Sequence, residues 1–172
     1  LNNADLTNAY LQYADLTSAY LYEADLTDAI VTYADLKYST FYRANLANAY
    51  LDDSDLKGAN LYDTDLTGAY LEYADLTNAY LYYADLSDAY LEDADLTNAD
   101  LEDADLEDAN LNYADLTNAN FQGADLEDAT LVEADLKFAK FSGATVTDAN
   151  FDDTYWHETM WTDGVRYDTN QA

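Results

Sequence analysis

From Leu1 to Phe151 an apolar side chain returns at every fifth residue. Of these 31 centres, 25 are Leu, four are Phe (Phe41, Phe121, Phe141, Phe151) and two are Val (Val31, Val146). Two places ahead of each later centre stands a small residue. From Ala4 to Ala149, 27 of these 30 are Ala, and Ser39, Ser54 and Thr64 fill the rest. The place between is mostly Asp, Asn or Tyr. On a helix, a five-residue step turns the side chain by about 140° and smears the centres around the axis. On a strand, an odd step flips the face each time. The beat keeps its centres inside only if the backbone turns a corner in every unit. The pattern therefore predicts a β coil with Leu and Ala pointing inward.

The polar positions give the size of the coil. Directly after the centre, Tyr occurs only at Tyr22, Tyr42, Tyr62 and Tyr82, a spacing of 20. Asp before the centre recurs every ten residues from Asp5 to Asp135, with Asn45 the one exception. A coil of four units aligns both series and stacks Leu36, Leu56 and Leu76. With coils roughly 4.8 Å apart, about 7.5 of them make a rod of roughly 36 Å. The last place of each unit reads as a corner: 20 of 31 are Gly, Asn or Asp, types that tolerate positive φ. Tyr13, Tyr33, Tyr38, Tyr73, Tyr83, Tyr113 and Phe138 break that rule, so a different turn type is expected there.

The beat divides the chain into a solenoid over residues 1–153 and a cap with tail over 154–172. Trp156, Met160 and Trp161 are expected to lid the last layer of centres, or to form a dimer surface. Leu1 is not Met and is already in register, which reads as a processed chain or a piece of a longer one. The N-terminal coil shows no cap, so either more protein precedes it or it meets a partner.

The repeat, A(D/N)LXX, resembles the pentapeptide-repeat family over residues 1–153. The resemblance implies an all-β fold, a right-handed quadrilateral parallel β-helix. It also implies a terminal cap at which some members dimerise, end to end or through a terminus. Many such proteins occur in cyanobacteria without an assigned role, and some resemble DNA in shape and charge and bind DNA gyrase.

Composition narrows the function. There are 36 acids against 6 bases, a net charge of −30, and no Cys or Pro. Nearly half of the residues are apolar, so the acidity is not that of a disordered tail. Without Cys there is no disulfide framework and no thiolate metal site. No run of 18 apolar residues occurs, so membrane insertion is not expected; no signal-peptide pattern occurs either, and the compartment stays open. No phosphate loop, metalloprotease motif or calcium-hand loop is present. The single His157 reads as a polar residue of the cap, so an enzyme is not expected, and no cofactor is implied.

Two kinds of surface remain. Tyr50, Tyr70 and Tyr90 should stack on one face and Tyr22, Tyr42, Tyr62 and Tyr82 in an adjoining row. They read either as an outer ladder or as a recognition surface. The Asp columns Asp65–Asp125 and Asp55–Asp135 read as solvation and turn support, or as weak divalent-cation sites; a linear column converges poorly on one ion. Between Gly58 and Leu136 there is no Lys or Arg, while Asp85 to Asp128 holds 15 acids. Asp100, Glu102, Asp103, Asp105, Glu107 and Asp108 surround two successive centres and mark the band best suited to a protein partner with a basic surface. The rod carries about one charge per 1.2 Å against 1.7 Å for duplex DNA, and so repels nucleic acid. An acidic interaction module is the first reading. A DNA-mimic ligand of a type II topoisomerase such as DNA gyrase is the second.

Overall fold

The structure, a computed structural model, describes residues 1–170. Among them there is no helix, and every parallel pairing joins residues 20 apart, from Asp5 with Asp25 to Lys140 with Met160. The chain is a right-handed quadrilateral β-helix with one pentapeptide per side. Asp35, Asp55 and Asp75 pair in succession, which stacks Leu36, Leu56 and Leu76 as their spacing requires.

The five N–H groups of one unit show why the sequence takes this form. Leu76 N–H donates to the Asp95 carbonyl at 2.7 Å, Asn78 N–H to Thr97 at 2.9 Å, and Tyr80 N–H to Ala59 at 2.9 Å. Ala79 N–H closes the corner on the Leu76 carbonyl at 2.9 Å. That leaves Thr77 N–H, which donates to Asp75 Oδ1 at 2.9 Å. Where an Asp or Asn stands before the centre, its side chain can therefore satisfy the one donor the ladder leaves over.

Inside, Leu and Ala form one continuous core, with Leu21 to Leu136 at most 1 % exposed at every centre. The place beside them is held by small residues, mostly Ala, which are buried with the centres. Ser39 and Thr64 take Ala places and donate their hydroxyls to the Leu36 and Phe41 carbonyls at 2.6 and 2.9 Å. The hydroxyl of Ser54 is buried without a partner.

The corners correct one expectation. Every fifth residue from Asn3 to Glu158 has positive φ, whatever its type. Tyr13, Tyr33, Tyr38, Tyr73, Tyr83, Tyr113 and Phe138 lie at +55° to +62°, as Asn and Asp do. The aromatic corners share the common turn, with positive φ at the third residue, the pattern of type II. Their left-handed backbone costs about 1–2 kcal/mol per residue, and hydrogen bonds to the next coil on both sides of the corner hold them there. A large corner side chain also constrains its neighbour. The Tyr38 ring lies over Gly58, where an added Cβ would come within 2.8 Å of it.

At the N-terminal end Leu6, Leu11 and Leu16 are only partly buried. At the other end the pairing runs on to Met160. Trp156 and Trp161 occupy the centre positions of two further units; Trp161 packs on Phe141 and Phe151 at ring-centroid distances of 5.5 and 5.1 Å, and Trp156 packs on Trp161 at 4.9 Å. Met160 does not join this lid. It precedes a centre, so it falls in the outward column next to Lys140 and is half-buried. Strand β1 (Thr159–Met160) then pairs antiparallel with β2 (Arg166–Tyr167). This return strand covers an edge that would otherwise be free to pair.

Candidate functional site: two tyrosine faces and a groove

Each side of the square shows two outward columns, one before the centre and one after it. Two opposite sides carry the Asp columns, Asp65–Asp85–Asp105–Asp125 and Asp55–Asp75–Asp95–Asp115–Asp135. The other two carry the tyrosines. Tyr50, Tyr70 and Tyr90 therefore stand on the side opposite Tyr22, Tyr42, Tyr62 and Tyr82, half a coil away. The expectation of adjoining rows is overturned because ten residues, two corners, separate the two sides.

The Asp columns have structural work. Asp65, Asp85, Asp95, Asp105, Asp115, Asp125 and Asp135 each accept the N–H two residues on, at 2.8 to 3.1 Å. Such bonds favour the carboxylate; at Asp5 the Thr7 hydroxyl and N–H hold the carboxyl below its usual range. Lys37 bridges Asp35 and Asp55 at 3.0 and 2.8 Å, and these two partners push its ammonium pKa up. Among the described residues no three His, Asp or Glu side chains converge as a metal-ligand set.

The first tyrosine face is regular. Tyr50, Tyr70 and Tyr90 stack with centroids 4.7 and 5.0 Å apart and planes within 4°. Beside them run Asp52, Glu72 and Glu92. Burial pushes the Asp52 carboxyl up, and so does the charge of Asp53. Burial also raises Glu72, helped by Asp52 and Glu92.

The second face begins in the same way. Tyr22, Tyr42 and Tyr62 stack at 5.2 and 5.1 Å with planes within 10°. At Tyr82 the ladder breaks: its ring is tilted 40° from Tyr62. It lies instead 4.1 Å from the corner residue Tyr83, which meets Tyr62 edge-on. A hydrogen bond with Tyr83 raises the Tyr82 hydroxyl pKa. The column before the centres reads Tyr20, Thr40, Asn60, Tyr80, Asp100, Asn120 on this side. The short Asn60 between large rings leaves an open groove of about 490 Å³, lined by Tyr42, Asn60, Tyr62, Tyr80, Tyr82, Asp100 and Glu102.

The acidic band is divided by one corner. Asp100 and Glu102 line the groove, Asp103 and Asp108 stand at corners with positive φ, and Asp105 and Glu107 belong to the next side. Asn120 Nδ2 donates to Asp100 Oδ1 at 2.9 Å and to Glu102 Oε2 at 3.2 Å, holding the two carboxylates together. Dehydration and the charges of Asp105 and Asp108 push Glu107 up. Tyr80, Asn60 and Asn120 belong to this site and were not singled out from the sequence, and Tyr83 was read there only as a corner, although reading the columns at a spacing of 20 brings them together. His157 lies at the far end, 3.3 Å from Asp168 and edge-on to Phe138.

The family model described as pentapeptide repeats (8 copies) matches residues 1–37, 32–68, 59–98, 84–123 and 119–155. Among solved structures, a pentapeptide repeat protein (Rfr23) from the cyanobacterium Cyanothece 51142 is 30% identical over 62% of this chain and 87% of its own, with a TM-score of 0.61. HetL, a pentapeptide repeat protein involved in heterocyst differentiation regulation from the cyanobacterium Nostoc sp. strain PCC 7120, is 35% identical over 97% and 89%, with a TM-score of 0.34. QnrB1, a plasmid-mediated fluoroquinolone resistance protein, shares the fold at 16% identity over 90% and 87%, with a TM-score of 0.50. Among curated protein sequences nothing matches. Among the described residues no helix is long and apolar enough to cross a membrane. The unbroken five-residue beat, the pairing at 20 and the family match agree: the chain belongs to the pentapeptide repeat family.

Proposed function

We propose that the chain is a non-catalytic interaction module that offers its tyrosine faces and acidic band to a protein partner with a basic surface. One observation carries this reading. From Asp65 to Glu133 no carboxylate has an ion-pair partner among the described residues, whereas Lys37, Arg43 and Lys137 outside that stretch are all paired. Such a field draws in basic surfaces and speeds their encounter. The test is calorimetric titration with a 20-residue Arg/Lys peptide at about 50 and about 300 mM salt, since screening over about 10 Å weakens exposed contacts. A companion variant changes Asp100, Glu102, Asp103, Asp105, Glu107 and Asp108 to their amides. Affinity should fall steeply with salt and fall again in the variant; absence of binding at low salt would remove the reading.

The charge density favours a second, narrower reading, a DNA-mimic ligand of a type II topoisomerase such as DNA gyrase. It predicts that purified gyrase binds the parent protein, that DNA competes, and that supercoiling slows. Unchanged supercoiling at a large excess of the protein would eliminate it and leave the first reading standing.

A further inference from the structure

The groove on the second tyrosine face has a counterpart within the chain. Arg43 stands at the corner after Tyr42, with its guanidinium carbon 5.4 Å from the centre of that ring. Its Nε donates to Asp63 Oδ2 at 2.8 Å, one coil further on. Ring, guanidinium and next-coil carboxylate make a closed arrangement. Two coils later the same columns read Tyr82, Tyr83 and Asp103. The ring and the carboxylate recur, joined by Asp100 and Glu102, but Tyr83 stands in the arginine's place. Nothing cationic replaces it, because no Lys or Arg occurs between Gly58 and Leu136.

We infer that the groove between Tyr42, Tyr62, Tyr80 and Tyr82 receives an arginine side chain from the partner protein. The inference rests on the reading of this surface as a protein-binding one and names what enters it. Three features select the guanidinium. Tyrosine faces attract a cation through the ring quadrupole, and the planar guanidinium stacks as an ammonium does not. Asp100 and Glu102, held together by Asn120, offer carboxylate oxygens to its fork of donors. Asn60 and Tyr80 give the groove its depth, so the cation leaves part of its hydration shell on entry, which strengthens both contacts. The opposite face has stacked tyrosines and carboxylates too, but its rings lie flat on each other with no opening between them.

The experiment uses the full chain and an acetylated Gly-Gly-Arg-Gly-Gly amide. Matched peptides carry Lys or the neutral citrulline at the central position. Binding is read from tyrosine ring signals by NMR. Two variants take residues that already stand in the same columns: Asp100→Asn with Glu102→Gln copies Asn120 and Gln122, and Tyr82→Gln copies Gln122. Both are therefore compatible with the ladder, and retained β-helix circular dichroism verifies it. The arginine peptide should shift Tyr62, Tyr80 and Tyr82, and each variant should weaken it about tenfold. Citrulline should weaken it by at least as much, and Lys by about threefold. Tyr113→Asn, at a corner that does not line the groove, should leave it unchanged. Equal binding of the Arg and citrulline peptides, or equal binding by parent and carboxamide variant, overturns the assignment. If the long Arg/Lys peptide still binds in that case, the acidic module stands and only the groove's role falls; if neither peptide binds, both readings fall.

Discussion

The two tyrosine faces begin alike and end differently. On the face of Tyr50, Tyr70 and Tyr90 the rings repeat at the coil rise, 4.7 and 5.0 Å, with almost parallel planes. On the face of Tyr22, Tyr42, Tyr62 and Tyr82 the first three repeat in the same way, and the fourth turns away. The backbone is not the cause, since every corner has the same positive φ. The cause is one corner side chain. Tyr83 offers Tyr82 a ring at 4.1 Å, and that contact wins over the stack. A repeat that fixes its backbone so firmly leaves function to side-chain columns, and a single change in a corner column converts a flat ladder into a groove.

The largest expected effect removes the frame that both faces share. Leu76→Asp buries a charge with no partner in the central coils and should cost more than about 4 kcal/mol. Urea unfolding with loss of β-helix circular dichroism measures it, and a near-parental midpoint would contradict the packing described. The next separates the faces. Tyr70 has two parallel ring neighbours, so Tyr70→Leu should lower stability by about 1–3 kcal/mol, at roughly 0.5–1.5 per ring pair. Tyr82→Leu removes only tilted contacts and should cost less while abolishing the groove. The comparison fails if denaturation places the two costs in the opposite order.

A third difference is electrostatic. On the flat face Asp52 and Glu72 are raised by burial among the rings. A carboxyl raised in the folded state binds its proton more tightly there than when unfolded. Its contribution is fully present at low pH and is lost as pH rises through the folded value, above the ordinary carboxylate range of about 4. The parent should therefore become more heat-stable as pH falls from 7 toward the ordinary carboxylate range of about 4, in the manner of the raised acids. Asp52→Asn with Glu72→Gln should flatten that dependence in calorimetry. An unchanged slope would show that net charge rather than this face sets it. The smallest effect lies under neither groove nor ladder. Ser54→Ala removes a buried hydroxyl without a partner and should raise stability by about 1 kcal/mol, read as a higher unfolding midpoint.

The regular part of this molecule was legible in the chain because it obeys one rule. A five-residue apolar beat demands corners, and the Tyr and Asp spacings demand four of them per coil. The pairing at 20 followed, and so did the backbone bonds of the Asp columns. Besides the two tyrosine rows, which stand on opposite rather than adjoining sides, three features escaped for separate reasons. Aromatic corners looked like exceptions because their residue types disfavour positive φ, yet the neighbouring coils impose it. Met160 looked like part of the lid by hydrophobicity, but its register places it outside. The groove was hidden because like residues at Tyr62 and Tyr82 imply a continued stack. Its only trace is across columns, where Tyr83 takes the place held by Arg43.

The most direct test of the account is where a basic peptide touches the protein. Tyrosine ring NMR signals, followed as the arginine peptide is added, resolve the two faces in one titration. Shifts confined to Tyr62, Tyr80 and Tyr82, with Tyr50, Tyr70 and Tyr90 still, are the predicted result. Equal shifts on both faces would contradict it, because they would mean that charge alone, and not the broken ladder, decides where the partner binds.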